Sequence, residues 1–90
     1  MNFEWNSAKA AANIKKYGVS FEEAVAALKD DLAASARDLE NSGAELRFVT
    51  FGISELGRLL AVSHTERGNT IRTISARAAT RTARKIYEEG

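Results

Sequence analysis

Cysteine and proline are both absent from this chain of 90 residues, and there is a single histidine. Without cysteine there is no disulfide, no zinc–thiolate centre and no thiol nucleophile. One histidine excludes a multi-histidine metal site, so neither a metal nor a cofactor is expected. Without proline no rigid linker divides the chain, and no internal repeat is evident. No apolar run approaches the roughly 18 residues of a bilayer span. The N-terminus lacks the basic, apolar and small-residue succession of a secretory signal. A membrane partner is therefore not expected, and a cytoplasmic location suits a chain without thiols. There is also no Walker loop, no GxGxxG, no HExxH and no Ser-His-Asp order.

What is present is ordinary for a globular protein: 44% apolar and 28% charged residues. A chain of this length buries roughly 60% of its unfolded surface, enough for one modest core, so residues 1–90 are read as one domain. The formal net charge of +1 conceals a polarity. Residues 1–45 carry five cations against eight anions, and residues 46–90 carry eight cations against four anions. Seven of those eight cations are arginines, and no acidic residue occurs from Arg67 to Tyr87. Such asymmetry points to an anionic partner. The planar arginine fork holds phosphate bidentately and stacks on bases.

The local signals are clearest at the N-terminus. Asn6 is a good N-cap, Ala8 to Ala12 favour helix, and Gly18 is a C-terminal stop. Ser20 and Glu23 have capping-box spacing, and Phe21, Ala24, Val25 and Leu28 recur at helical intervals. Two antiparallel helices are expected over residues 6–28, with Phe3 and Trp5 anchoring the first. Residues 32–37 are compatible with helix or strand, and 38–44 read as a loop. Residues 46–53, 58–65 and 70–74 are rich in β-branched and aromatic residues, and their short links make an antiparallel meander. Ser75 then reads as the cap of a helix over about 76–88. In that helix Arg77, Arg81 and Arg84 would fall within about 60° of one another, flanked by Thr80 and Tyr87.

This arginine stripe is the strongest chemical signal. With RNA as substrate, the 2′-hydroxyl attacks the neighbouring phosphate itself. The protein then supplies positive charge for the phosphorane oxygens together with proton donors and acceptors. Tyr87, His64 and Glu66 are the candidates for proton transfer. On its alternating strand His64 shares a face with Leu60, Val62 and Glu66, where a packed histidine is the plainer reading. Arg47 and Arg72, from neighbouring strands, would join the same surface. The other reading is a binding module whose arginine face docks an acidic partner or contacts nucleic acid without cutting it.

Several short motifs resemble one family, in order and at matching spacing over nearly the whole chain. Phe3-Glu4-Trp5-Asn6 with Lys9 and Asn13, then Gly18-Val19-Ser20-Phe21-Glu22-Glu23-Ala24, resemble the opening of BrnT toxins. Arg47-Phe48-Val49-Thr50, Gly52-Ile53-Ser54 and Gly57-Arg58-Leu59-Leu60-Ala61-Val62 resemble the central strands. Ile71-Arg72, Ile74-Ser75-Ala76-Arg77, Ala79-Thr80 and Tyr87-Glu88 resemble the terminal signature. Tyr17 stands where that family usually has His, Ala78 where it usually has Lys, and Thr82-Ala83 where it often has Arg-Glu. The resemblance implies a RelE-like α+β fold: two N-terminal helices, an antiparallel sheet of three to four strands and a C-terminal helix packed on it. It favours a strand for residues 32–37. It implies a metal-independent endoribonuclease toxin of a type II toxin–antitoxin module, which cuts RNA and halts translation. A BrnA-like ribbon-helix-helix antitoxin would hold it inactive and bind DNA on behalf of the complex. Arg77, Arg81, Arg84, Tyr87, His64 and Glu66 are then the expected catalytic set, and Arg47, Arg72 and Lys9 the expected RNA contacts.

Overall fold

The computed structural model describes residues 1–89. The elements run β1 (Asn2–Glu4), α1 (Ser7–Tyr17), α2 (Phe21–Leu28), β2 (Ala34–Arg37), β3 (Arg47–Ile53), β4 (Leu59–Arg67), β5 (Thr70–Ala78) and α3 (Arg81–Glu89).

The two N-terminal helices form where the caps place them. Asn6 Oδ1 accepts from Lys9 N at 3.1 Å, and Gly18 closes α1 with φ 70°, a left-handed conformation that favours glycine. Ser20 Oγ accepts from Glu23 N at 3.0 Å. The expected return bond of the capping box is not made. The Glu23 carboxylate turns inward instead, taking Ser54 Oγ at 2.7 Å and Arg58 Nε at 2.9 Å. Glu23 is 4% exposed, and a carboxylate so buried needs such partners. The Arg58 hydrogen bonds hold its carboxyl below the usual value, with Ser54 reinforcing them.

The sheet has five strands in the order β1-β5-β4-β3-β2. Strands β2 to β5 are antiparallel neighbours, as the meander predicts, and residues 34–37 resolve as a strand. The expected antiparallel sheet of three to four strands is corrected at its edge: β1 pairs parallel with β5, Phe3 opposite Ile71. A strand of three residues shows no periodicity in the sequence, so it went unread.

A larger correction falls at the C-terminus. The expected helix over 76–88 begins only at Arg81. Ala76, Arg77 and Ala78 continue β5, opposite Val62, Ala61 and Leu60. Asn13 explains the extension. Beyond the end of β1, its buried side chain serves β5 as an edge partner, donating to Ala76 O at 2.8 Å and accepting from Ala76 N at 3.1 Å. It also donates to Val19 O at 2.9 Å. These bonds outweigh the helix propensity of an alanine-rich segment. Thr80 replaces Ser75 as the cap, accepting from Ala83 N at 3.1 Å.

Val19, Phe21, Ala24, Ala27, Leu60, Val62 and Ala76 form the core between the helices and one face of the sheet. Trp5 meets Phe21 edge-on at 6.1 Å between ring centroids. The α2 backbone comes so close to β3 that a Cβ on Gly52 would lie 2.1 Å from Ala27 O. Backbone against backbone leaves nothing flexible to give way. Gly52→Ala is expected to destabilise the fold by about 2 kcal/mol or more, read as a lower midpoint in chemical denaturation.

Candidate functional site

With the helices on one face, strand alternation puts a second set of side chains on the other. Three rows cross that open face from β3 through β4 to β5: Arg47–Thr65–Arg72, Val49–Ser63–Ser75 and Phe51–Ala61–Arg77. A β-bulge near Ser63 and His64 lets Ile74 stand as an extra residue of β5 between the first two rows. Helix α1 runs along the β5 edge, where Asn13 is fixed, and brings Lys9 and Tyr17 to the rim.

These residues line three adjoining depressions. One of about 370 Å³ is bordered by Lys9, Glu45, Arg47, Thr65 and Arg72. A second of about 280 Å³ includes Tyr17, Arg47, Ser63, Ser75 and Arg77. A third of about 620 Å³ has an apolar floor of Val49, Phe51 and Ala61 beside Arg77. Arg47 is shared by the first two and Arg77 by the last two, so the three form one trough.

The arginines divide by what they touch. Arg58 is tied to Glu23, and Arg72 Nη1 lies 3.0 Å from Glu4 Oε2 at the sheet edge. Among the described residues, neither Arg47 nor Arg77 has a carboxylate partner within salt-bridge distance. The lining of the three depressions carries Lys9, Arg37, Arg47, Arg72 and Arg77 against the carboxylates of Asp38, Glu40 and Glu45, so cations outnumber anions in a concave surface, which favours an anionic ligand.

Of the expected site residues, Arg47, Arg72, Arg77 and Lys9 come together here. The single stripe of Arg77, Arg81 and Arg84 does not exist, because Arg77 is on β5 and the other two are on α3. Helix α3 crosses the far end of the sheet, from the bond of Ala79 N to Leu59 O to that of the Tyr87 hydroxyl with Asp30 Oδ2 at 2.6 Å. Ala83 is buried there, and Ile86 is 58% exposed. Arg84 Nη1 lies 3.5 Å from Glu88 Oε1 one turn on.

The three proton-transfer candidates lie away from the trough. Tyr87 is committed to Asp30, whose hydrogen bond pushes the phenol up. The Ile53 amide and the Tyr87 hydroxyl in turn hold Asp30 below the usual carboxylate range. His64 sits on the helix-covered face, 3% exposed. Its Nε2 is 2.7 Å from Thr50 Oγ1, its ring stacks on Phe48 at 5.8 Å, and its Nδ1 has no partner. Glu66 shares that face by alternation, opposite Ile71. Tyr17, Glu45, Ser63, Thr65 and Ser75 were not singled out as site residues. Strand register, which no single segment reveals, places Ser63, Thr65 and Ser75 there, while Tyr17 comes from the end of α1 and Glu45 from the loop before β3.

The family model for the ribonuclease toxin BrnT of type II toxin–antitoxin systems matches residues 5–82. The crystal structure of the Brucella abortus ribonuclease toxin BrnT superposes with a TM-score of 0.64, covering 90% of this chain and 99% of that one at 23% identity. At that identity the likeness shows a common fold. No curated protein gives a significant match.

The burial of His64 has a measurable consequence. Desolvation lowers its pKa from the ordinary 6.5, opposed by the weaker attraction of Glu66. The unfolded chain therefore takes up a proton at a higher pH than the folded one. Stability from the neutral imidazole is complete above pH 6.5 and is lost as pH falls through the lowered folded value. Because the chain has one histidine, its imidazole NMR signals are unambiguous. They are expected to titrate below 6.5 in the folded protein, with denaturation midpoints falling over the same window.

Proposed function

The chain belongs to the BrnT family, the ribonuclease toxins of type II toxin–antitoxin systems, and from that premise we propose that it is an endoribonuclease whose working surface is the open face of the sheet. The observation that carries this reading is the convergence of Arg47, Arg72, Arg77 and Lys9 on one continuous trough. RNA brings its own nucleophile, so a cationic surface has two tasks: to hold the backbone in line and to neutralise the phosphorane. Arg47 and Arg77, free of carboxylate partners, suit the second task. Arg72 and Lys9 extend the surface along β5 and α1 to hold flanking phosphates.

The trough also carries proton-bearing groups. Tyr17 and Lys9 rise from α1, and the hydroxyls of Ser63 and Ser75 face it from the strands. They take the place of Tyr87, His64 and Glu66 in the proposed chemistry. Such a step needs no metal. Cleavage of messenger RNA would halt translation, as the family's character as a toxin requires. A BrnA-like ribbon-helix-helix antitoxin would complete the module, covering the trough with acidic and apolar side chains and contacting DNA itself. The described residues contain no helix long and apolar enough to cross a membrane.

The test uses purified chain free of antitoxin, with end-labelled RNA and EDTA present. Fragments bearing 2′,3′-cyclic phosphate and 5′-hydroxyl ends are expected. Arg47→Ala and Arg77→Ala should each slow cleavage by about a hundredfold, and by more than the Arg81→Ala, Arg84→Ala pair. RNA that stays intact but shifts in a gel would instead establish the binding-module reading.

A further inference from the structure

One end of the trough is built around a hydroxyl. Arg47, Thr65 and Arg72 make one row across three strands, and Arg67 stands two residues beyond Thr65 on the same face of β4. Neighbours in such a row lie roughly 5 Å apart, and alternate residues along a strand about 7 Å apart. Arg47 and Arg72 therefore flank Thr65 across the strands and line the depression with it, while Arg67 rises from the next position of the same face of β4. Thr65 is 5% exposed and lines the depression, and its Oγ1 is shielded from solvent in the free protein with no hydrogen-bond partner. A buried hydroxyl without a partner is costly, and such atoms are rare in a settled structure.

An anion already sits beside these cations. Glu45 lines the same depression, and Arg67 grips its carboxylate with both arms of the fork, Nε to Oε2 at 2.6 Å and Nη2 to Oε1. Arg67 first, then Arg72 and Arg47, hold that carboxyl below its usual range. Two coplanar oxygens in a guanidinium fork are also what a phosphodiester offers through its non-bridging oxygens. The pair is exposed, with 65% of the Arg67 side chain and 43% of the Glu45 side chain accessible. Exposed pairs of this kind contribute little to stability and exchange partners readily.

We propose that Arg47, Arg67, Arg72 and Thr65 Oγ1 form a discrete phosphodiester subsite, and that Glu45 is its resident internal anion, displaced when RNA binds. The proposal rests on the RNA reading of the trough and adds two things to it. Arg67 becomes an RNA contact that the free protein conceals, and Glu45 becomes a built-in competitor that weakens occupancy by short or poorly seated chains.

The probe is a 2′-O-methyl oligoribonucleotide, which binds but offers no nucleophile. Glu45→Gln is expected to bind it about fivefold tighter, with a salt dependence steeper by about one phosphate contact. Arg67→Ala should change affinity little in the native background and remove the whole gain in the Glu45→Gln background. Thr65→Val should weaken binding without lowering the melting temperature, since it removes an unpaired buried hydroxyl. A merely structural role for the Glu45–Arg67 pair would move melting temperature and leave the salt slope alone. Unchanged or weaker binding by Glu45→Gln, or an equal cost of Arg67→Ala in both backgrounds, would overturn the subsite. If the native chain binds the probe and Glu45→Gln does not differ from it, the subsite alone falls. If the native chain neither binds the probe nor cuts RNA, both readings fall together.

Discussion

The buried carboxylate of Glu23 fixes the first turn of α2 to the β3–β4 hairpin through Arg58 and Ser54. A few residues on, the α2 backbone rests against Gly52 with no room for a side chain between them. On the other flank, the Asn13 amide pins α1 to the edge of β5 and to the start of α2. These contacts commit both N-terminal helices to the same side of the sheet. A small domain has too little apolar residue to cover both sides, and its open face is free to be polar and charged.

That one-sidedness gives the arginines different tasks. Arg58 stands on the helix side of the structure and is neutralised, because a buried carboxylate requires a partner. Arg47 and Arg77 stand on the open side, where no helix brings an anion to them. Arg67 is intermediate: it is paired, but at the surface, with a partner that solvent or a ligand can replace. The same geometry places His64 on the helix-covered face, away from the trough. Its imidazole is buried between Thr50 and Phe48, and its Nε2 links β4 to β3.

Much of the fold could be read locally. The caps at Asn6 and Ser20 and the stop at Gly18 act within four residues, so sequence spacing locates α1 and α2 directly. Alternation located β3 and β4, and placed His64 with Leu60 and Val62. The boundary between β5 and α3 could not be read that way. Ala76-Arg77-Ala78-Ala79 favours helix by propensity, and what holds it extended is pairing with β4 on one side and an amide 63 residues earlier in the chain on the other. The site followed from that error. A helical period of 100° groups Arg77 with Arg81 and Arg84, whereas Arg77 follows the cross-strand register of β5. Arg47 and Arg72 belong to β3 and β5 with β4 between them, and it is register that puts both on the open face, either side of Thr65. Thr65 and Glu45 gave no signal of their own, since a threonine in a strand and a glutamate in a loop are ordinary until the fold sets them beside those arginines.

The most direct measurement is an NMR titration of the arginine side-chain Nε–H resonances with a single-stranded DNA oligonucleotide, which carries the phosphates and lacks the attacking hydroxyl. If the open face is the nucleic-acid surface, the resonances of Arg47, Arg72 and Arg77 shift together and saturate at one concentration, while those of Arg81 and Arg84 move little. Saturating shifts confined to Arg81 and Arg84, with the strand arginines unmoved, would contradict the account and return the interface to the C-terminal helix.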